Sequence, residues 1–84
     1  MDTKESLKIQ PENWIMINNI EPAVVCEVCN DESVKIVYKR AANAMCDYVV
    51  WEQNNWKFKN PNFPGIPADI IPELSRFVAI LKRG

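Results

Sequence analysis

The sequence predicts an α+β domain in which a small, twisted antiparallel sheet of four or five strands packs against one C-terminal amphipathic helix. Three observations carry that prediction. Apolar and polar residues alternate with a period of two through much of residues 24–59, the signature of strands with one buried face. Clusters of Asn, Asp and Pro interrupt the alternation where turns belong. From residue 72 the period becomes helical, with Leu74, Phe77, Val78 and Leu81 at i, i+3, i+4 and i+7.

Residues 1–12 read as a loose, polar N-terminal arm and residues 13–84 as the single domain. The opening MDTKESLKIQ lacks the apolar stretch of a secretory signal. Gln10-Pro11-Glu12-Asn13 is a turn, and WIMI at 14–17 a short buried strand that Asn18-Asn19 bends. AVVCEVC and SVKIVYK form a first hairpin across Asn30-Asp31-Glu32, or across the longer loop Cys29–Ser33 in the same register. That register sets Val28 against Val34, Glu27 against Lys35, Cys26 against Ile36, Val25 against Val37 and Val24 against Tyr38. Val24, Cys26, Val28, Val34, Ile36 and Tyr38 then share one face.

CDYVVWEQ and WKFKN form a second hairpin, turning at Asn54-Asn55 because Asn tolerates positive φ. Gln53 then faces Trp56, Glu52 faces Lys57 and Trp51 faces Phe58. The link Arg40–Ala44 is short, so the strands should meander. PNFPGIP at 61–67 is an irregular crossing. Pro72 suits the first helical position, Glu73 the first turn, and Lys82-Arg83 the last. The expected core sets Val24, Cys26, Ile36, Val49, Trp51, Trp56 and Phe58 against Leu74, Phe77, Val78 and Leu81 of the helix.

An 84-residue chain is one small domain with a modest core, which would gain from a partner. The net charge of −1 lacks the basic excess usual in nucleic-acid binders. Three cysteines without a secretory signal favour reduced thiols and a cytoplasmic location. Two glycines are too few for a phosphate-cradling loop. No apolar run reaches the length of a membrane span. No cofactor is expected.

Cys26-x-x-Cys29 has the spacing of zinc and redox sites, but in a strand the two side chains point to opposite faces. With no histidine and only Cys46 besides, a closed zinc site would need Asp47 as its fourth ligand. The strand reading is preferred, and no metal site is expected. General acid–base chemistry lacks its commonest residue, histidine, so no catalytic residue is assigned. Asp31-Glu32 reads as a solvated hairpin tip. Asp47 shares a face with Val49 and Trp51, which would place a carboxylate at the edge of an aromatic pocket able to take a small molecule. Lys35, Lys39, Arg40, Lys57 and Lys59 could line a basic outer face, with Tyr48 as a stacking platform for nucleic acid. Glu27 and Glu52 would offset two of those charges. Trp14, Tyr48, Trp51 and Trp56 are the aromatic residues proposed for an interaction surface, and a homodimer is the expected partner arrangement, with WIMI a candidate edge strand.

Taken in order, the W-containing strand, AVVCEV…VKIVYK, DYVVWEQNNWKFKN, the Pro/Gly loop and PELSRFVAILKRG resemble small uncharacterised bacterial proteins, including those carried on integron gene cassettes. The likeness covers roughly residues 14–83. It implies a mobile accessory gene and no reaction. The strand pattern is also similar to small barrels of the Tudor and Src-homology-3 type, which would make the sheet a half barrel; the closing helix departs from that pattern.

Overall fold

The computed structural model describes residues 9–30 and 33–84. The arm residues 1–8 and the expected hairpin tip Asp31-Glu32 lie outside the described residues. Six strands follow in order: β1 (Trp14–Ile17), β2 (Glu21–Asn30), β3 (Ser33–Arg40), β4 (Asn43–Glu52), β5 (Asn55–Phe58) and the two-residue β6 (Ile66–Pro67). Two short 3-10 turns, Ala68–Ile70 and Pro72–Leu74, lead into one helix, α1 (Ser75–Arg83). Pro72 opens the second turn, where a missing N–H leaves no bond unmade.

β1 to β5 form the expected antiparallel meander, each strand pairing with the next. The sheet then closes on itself, because β1 also pairs with β5. Four successive reversals leave β1 and β5 pointing the same way. The closing pair, Ile17 opposite Trp56, is therefore parallel, and the sheet is mixed where the sequence predicted a purely antiparallel one. This seam is short: Asn18 N–H donates to the Trp56 carbonyl at 2.8 Å, and β5 meets β1 at that one register position. Consequently WIMI is an edge strand only in part: β2 flanks it along its whole length, and β5 covers its second edge at Ile17 alone.

Closure divides the apolar residues into two groups on opposite faces of one sheet. Inside the barrel lie Ile15, Ile17, Ala23, Val25, Val34, Ile36, Tyr38, Val49 and Trp56, with Met45, Trp51 and Phe58 partly buried against them. Outside, Val24, Cys26, Val37, Ala44 and Cys46 are covered by Ala68, Leu74 and the helix residues Phe77, Val78 and Leu81. The expected core merged these two groups. Val24 and Cys26 do meet the helix, but Ile36, Val49, Trp51, Trp56 and Phe58 face inward, away from it.

A β-bulge explains the first part of that error. From Glu27–Lys35 onward the first hairpin keeps the expected register. At Cys26 an extra residue enters β2, so Val25 pairs with Ile36, Val24 with Val37 and Ala23 with Tyr38. A one-residue slip exchanges faces, which moves Val24 and Cys26 outward. A second irregularity at Cys29 lets the ladder run on to Asn30–Ser33, past both loops expected there.

The second hairpin turns one residue earlier than expected. Gln53 and Asn54 carry φ of 54° and 62°, as a two-residue type I′ turn requires. Glu52 therefore pairs with Asn55, Trp51 with Trp56, Val50 with Lys57 and Val49 with Phe58. This slip moves each partner by two residues and preserves the faces. Val49, Trp51, Trp56 and Phe58 still lie together, but the expected Glu52–Lys57 pair is replaced by Lys57 Nζ donating to Gln53 Oε1 at 2.7 Å.

Residues 9–12 of the expected arm are tied to the barrel. Ile9 packs against the interior group, and Glu12 N–H donates to the Val25 carbonyl at 2.7 Å. Glu12 also pairs with Arg76 of the helix at 3.4 Å. No helix among the described residues is long and apolar enough to cross a membrane.

Candidate functional site

The four aromatic residues proposed for one interaction surface occupy three places. Trp56 is buried and Trp51 half-buried inside the barrel, edge to face with ring centroids 5.3 Å apart. Tyr48 is exposed on the outer face of β4. Trp14 points outward from β1, against Gly84 at the C-terminal end of the helix. The interior pair is core, and the surface residues are Trp14 and Tyr48.

Around Trp14 the strand alternation creates an apolar strip that the sequence reading missed. Ile15 and Ile17 fill the barrel, so Trp14 and Met16 must point out, 43% and 45% exposed. Pro22, opposite Met16, and Ile20, 78% exposed in the β1–β2 turn, extend the strip. Trp14, Glu21, Pro22, Lys39, Leu81 and Gly84 line a cavity of about 160 Å³ beside it. The indole lies so close to Gly84 that a Cβ there would overlap it. The signal that would have found Met16 is the alternation within WIMI itself.

The expected basic face is divided. Lys35, Tyr48 and Lys59 form a row on the outer face, since Lys35 is opposite Tyr48 and Lys59 N–H donates to the Tyr48 carbonyl at 2.9 Å. Lys57 and Lys59 also line a groove of about 340 Å³ with Asn18, Val50, Glu52, Phe58 and Pro61. Glu27 sits opposite Lys35, as expected. Lys39 belongs to the Trp14 cavity. Arg40 is engaged elsewhere: its Nη1 donates to the Pro64 carbonyl at 2.9 Å.

Asp47 does share a face with Val49 and Trp51, but that face is the barrel interior. It is 4% exposed. Oδ1 accepts the Tyr48 N–H at 2.7 Å, whereas Oδ2 is buried without a partner. Burial raises the carboxyl above its ordinary range, opposed by that hydrogen bond and by Arg40. None of the three grooves described here is lined by Asp47. The third of these, about 520 Å³, runs between Cys26, Glu27 and Lys35 on the sheet and Ile71, Glu73, Leu74 and Phe77 before and within α1.

The cysteines separate as the strand reading expects. Cys26 is buried under the helix and Cys29 is exposed; both, like Cys46, are free thiols. Burial first, then the neighbouring Cys46, pushes the Cys26 thiol up to about 12, which makes it a poor nucleophile and a poor metal ligand. Burial also raises the Cys46 thiol. Among the described residues no three His, Cys, Asp or Glu side chains converge as a metal site would need.

Comparison with protein-family models, curated proteins and solved structures finds no match to this chain.

Proposed function

We propose that this chain is a small bacterial accessory protein that works as a non-enzymatic interaction module and associates with a second copy of itself through the Trp14–Met16 face. The observation that carries this reading is the outward alternation of Trp14 and Met16, flanked by Ile20 and Pro22, on a strand whose second edge is met by β5 at one position only. Large aromatic and Met side chains are the enriched residues of interface centres. The free backbone edge beside Trp14 offers a second copy both hydrogen bonds and apolar area. The similarity to barrels of the Src-homology-3 type fits a binding role carried on the outside of a filled barrel.

Sedimentation across a concentration series tests it. The expected result is a monomer–dimer equilibrium that Met16→Lys weakens about 30-fold or more, as loss of a central contact does. A monomer at every concentration removes the proposal.

A second reading rests on the row Lys35–Tyr48–Lys59, which sets two cations about one exposed aromatic ring, the arrangement that holds single-stranded nucleic acid. It predicts binding that falls steeply with salt. Absence of binding to any oligonucleotide at low salt ends it.

A further inference from the structure

Asp47 stands where the second edge of β4 changes partner. On one side β4 pairs with β5, as far as Val49–Phe58 and the Lys59–Tyr48 hydrogen bond. On the other it pairs with β6, from Cys46–Ile66 onward. Between them the chain leaves the sheet as the crossing 60–65, and Asp47 faces the interior at that break. A carboxyl oxygen buried there without a partner is tolerable when protonated and costly when charged.

Few bonds seat the crossing. Phe63 N–H donates to the Asn60 carbonyl at 3.0 Å, and Asn62 N–H to Asn60 Oδ1 at 3.3 Å, both within the crossing. Its tie to the barrel is Arg40 Nη1 on the Pro64 carbonyl at 2.9 Å, together with the two residues of β6. Gly65, at φ 87°, then closes over the barrel end: a Cβ there would lie 3.5 Å from the Tyr38 hydroxyl and 3.3 Å from the Cys46 carbonyl.

The charged groups around Asp47 are few. β3 brings Tyr38 and Arg40, and β4 itself the neighbouring Cys46 thiol, which burial keeps protonated. Tyr38 is itself held neutral by burial, with Arg40 opposing and Asp47 and Glu21 assisting. The crossing and β6, NPNFPGIP, contain no charged residue, and β5 turns only Trp56 and Phe58 inward. β1 and β2 contribute Ile15, Ile17, Ala23 and Val25 to the same interior. Arg40 is therefore the one cation described that can answer a charge on Asp47, and it is also the clamp on Pro64.

We propose that Asp47 and Arg40 form a proton-operated latch on the crossing at 60–65: with Asp47 neutral, Arg40 holds Pro64 and the crossing stays seated; when Asp47 loses its proton to solvent, Arg40 turns to the carboxylate and the crossing lifts. The exchange is favourable because a guanidinium binds a carboxylate more strongly than it binds a neutral carbonyl. Lifting uncovers the Tyr38–Phe58 end of the interior, whose rings lie 5.2 Å apart.

Two measurements on one sample test this: the carbon-13 shift of the Asp47 carboxyl against pH, and hydrogen exchange at the Cys46 and Ile66 amides, where β6 pairs with β4, over the same range. After correction for intrinsic exchange, opening of those amides is expected to rise at least tenfold as Asp47 ionises, while amides of β3 stay protected. Asp47→Asn should hold the crossing closed at every pH. Arg40→Gln should leave it open at every pH. The proposal is overturned if Asp47 titrates in or below the ordinary aspartate range, if the wild-type crossing opens no further as Asp47 ionises, or if the pH dependence survives in Asp47→Asn. Should Asp47→Asn fail to fold, the paired wild-type titrations still decide.

Discussion

Cys26 and Cys29 stand three residues apart in the chain and differ in nearly everything that governs thiol reactivity. Cys29 is exposed, whereas Cys26 is covered by the helix and its thiol is pushed up to about 12. At pH 7.5 a maleimide should therefore modify the native protein once, at Cys29. Cys26 and Cys46 should react only after unfolding, and the intact mass would show one adduct becoming three. Two adducts on native protein would mean that the helix does not seal Cys26. Asp47 offers a second test. Its folded carboxyl is raised above the unfolded value, so its stability contribution is complete below the ordinary aspartate range and is lost as pH rises through the folded value. Asp47→Asn should thus be more stable than wild type at pH 7 by about 1 kcal/mol, the low end of the penalty for an unpaired buried polar atom, and no more stable at pH 3. Denaturant midpoints at the two pH values measure the difference. A constant offset at both would assign the effect to packing.

Turns and bulges set the register of each element here. Ala41, in the β3–β4 turn, carries φ 56°, a conformation that strains a residue with a Cβ and suits Asn. Ala41→Asn should raise stability by about 0.5–1 kcal/mol, read as a rise of several degrees in the melting temperature. Helix α1 holds on through Phe77 and Leu81, and Phe77→Ala should cost about 3–5 kcal/mol, enough to unfold much of a domain this small. The strands themselves were legible in the residues, because runs such as VKIVYK and DYVVWE are β-branched and alternate. The helix was legible from its period. The bulge at Cys26 was not, since an extra residue in a run of Val and Cys changes no local preference and is settled by what each face must later cover. Asn54 was correctly placed in a turn, but which two of Gln53, Asn54 and Asn55 make the turn depends on the twist of the strands that follow.

For the molecule as a whole, the decisive fact is that one sheet has apolar residues on both faces, the barrel interior within and the helix outside. Neither group is complete without the other, because the same strands carry both. Unfolding should therefore be a single transition. Fluorescence of Trp51 and Trp56, inside the barrel, and far-ultraviolet circular dichroism, which weighs the helix, should share one denaturant midpoint. Separate midpoints would mean that the helix leaves first and the barrel survives it. The resemblance to Src-homology-3 barrels pointed to a half barrel, and its full closure through a parallel seam was the largest feature the sequence did not reveal. Its only residue-level mark is one pair, Ile17 and Trp56, drawn from ordinary apolar strands far apart in the chain. The surface followed from it: once Ile15 and Ile17 are committed to the interior, Trp14 and Met16 have nowhere to go but out. Asp47 was singled out for the right neighbours and given the wrong surroundings, since a flat sheet would have left it beside a pocket and a closed one encloses it.

An odd number of strands cannot be halved. A barrel with an even count can be written as a hairpin copied and joined to itself, and gaining or losing a whole hairpin keeps its seam antiparallel. This one admits no such description: β1 to β5 close the barrel, with the two-residue β6 added only at the edge of β4, and every arrangement of those five into hairpins leaves one strand over, in keeping with a sequence that contains no repeat. Adding or deleting a single strand would reverse the polarity of the seam and demand a new set of partners for Ile17 and Trp56. Variation in this architecture is therefore channelled into the places that leave the strand count alone, which are the turns, the crossing and the outer face.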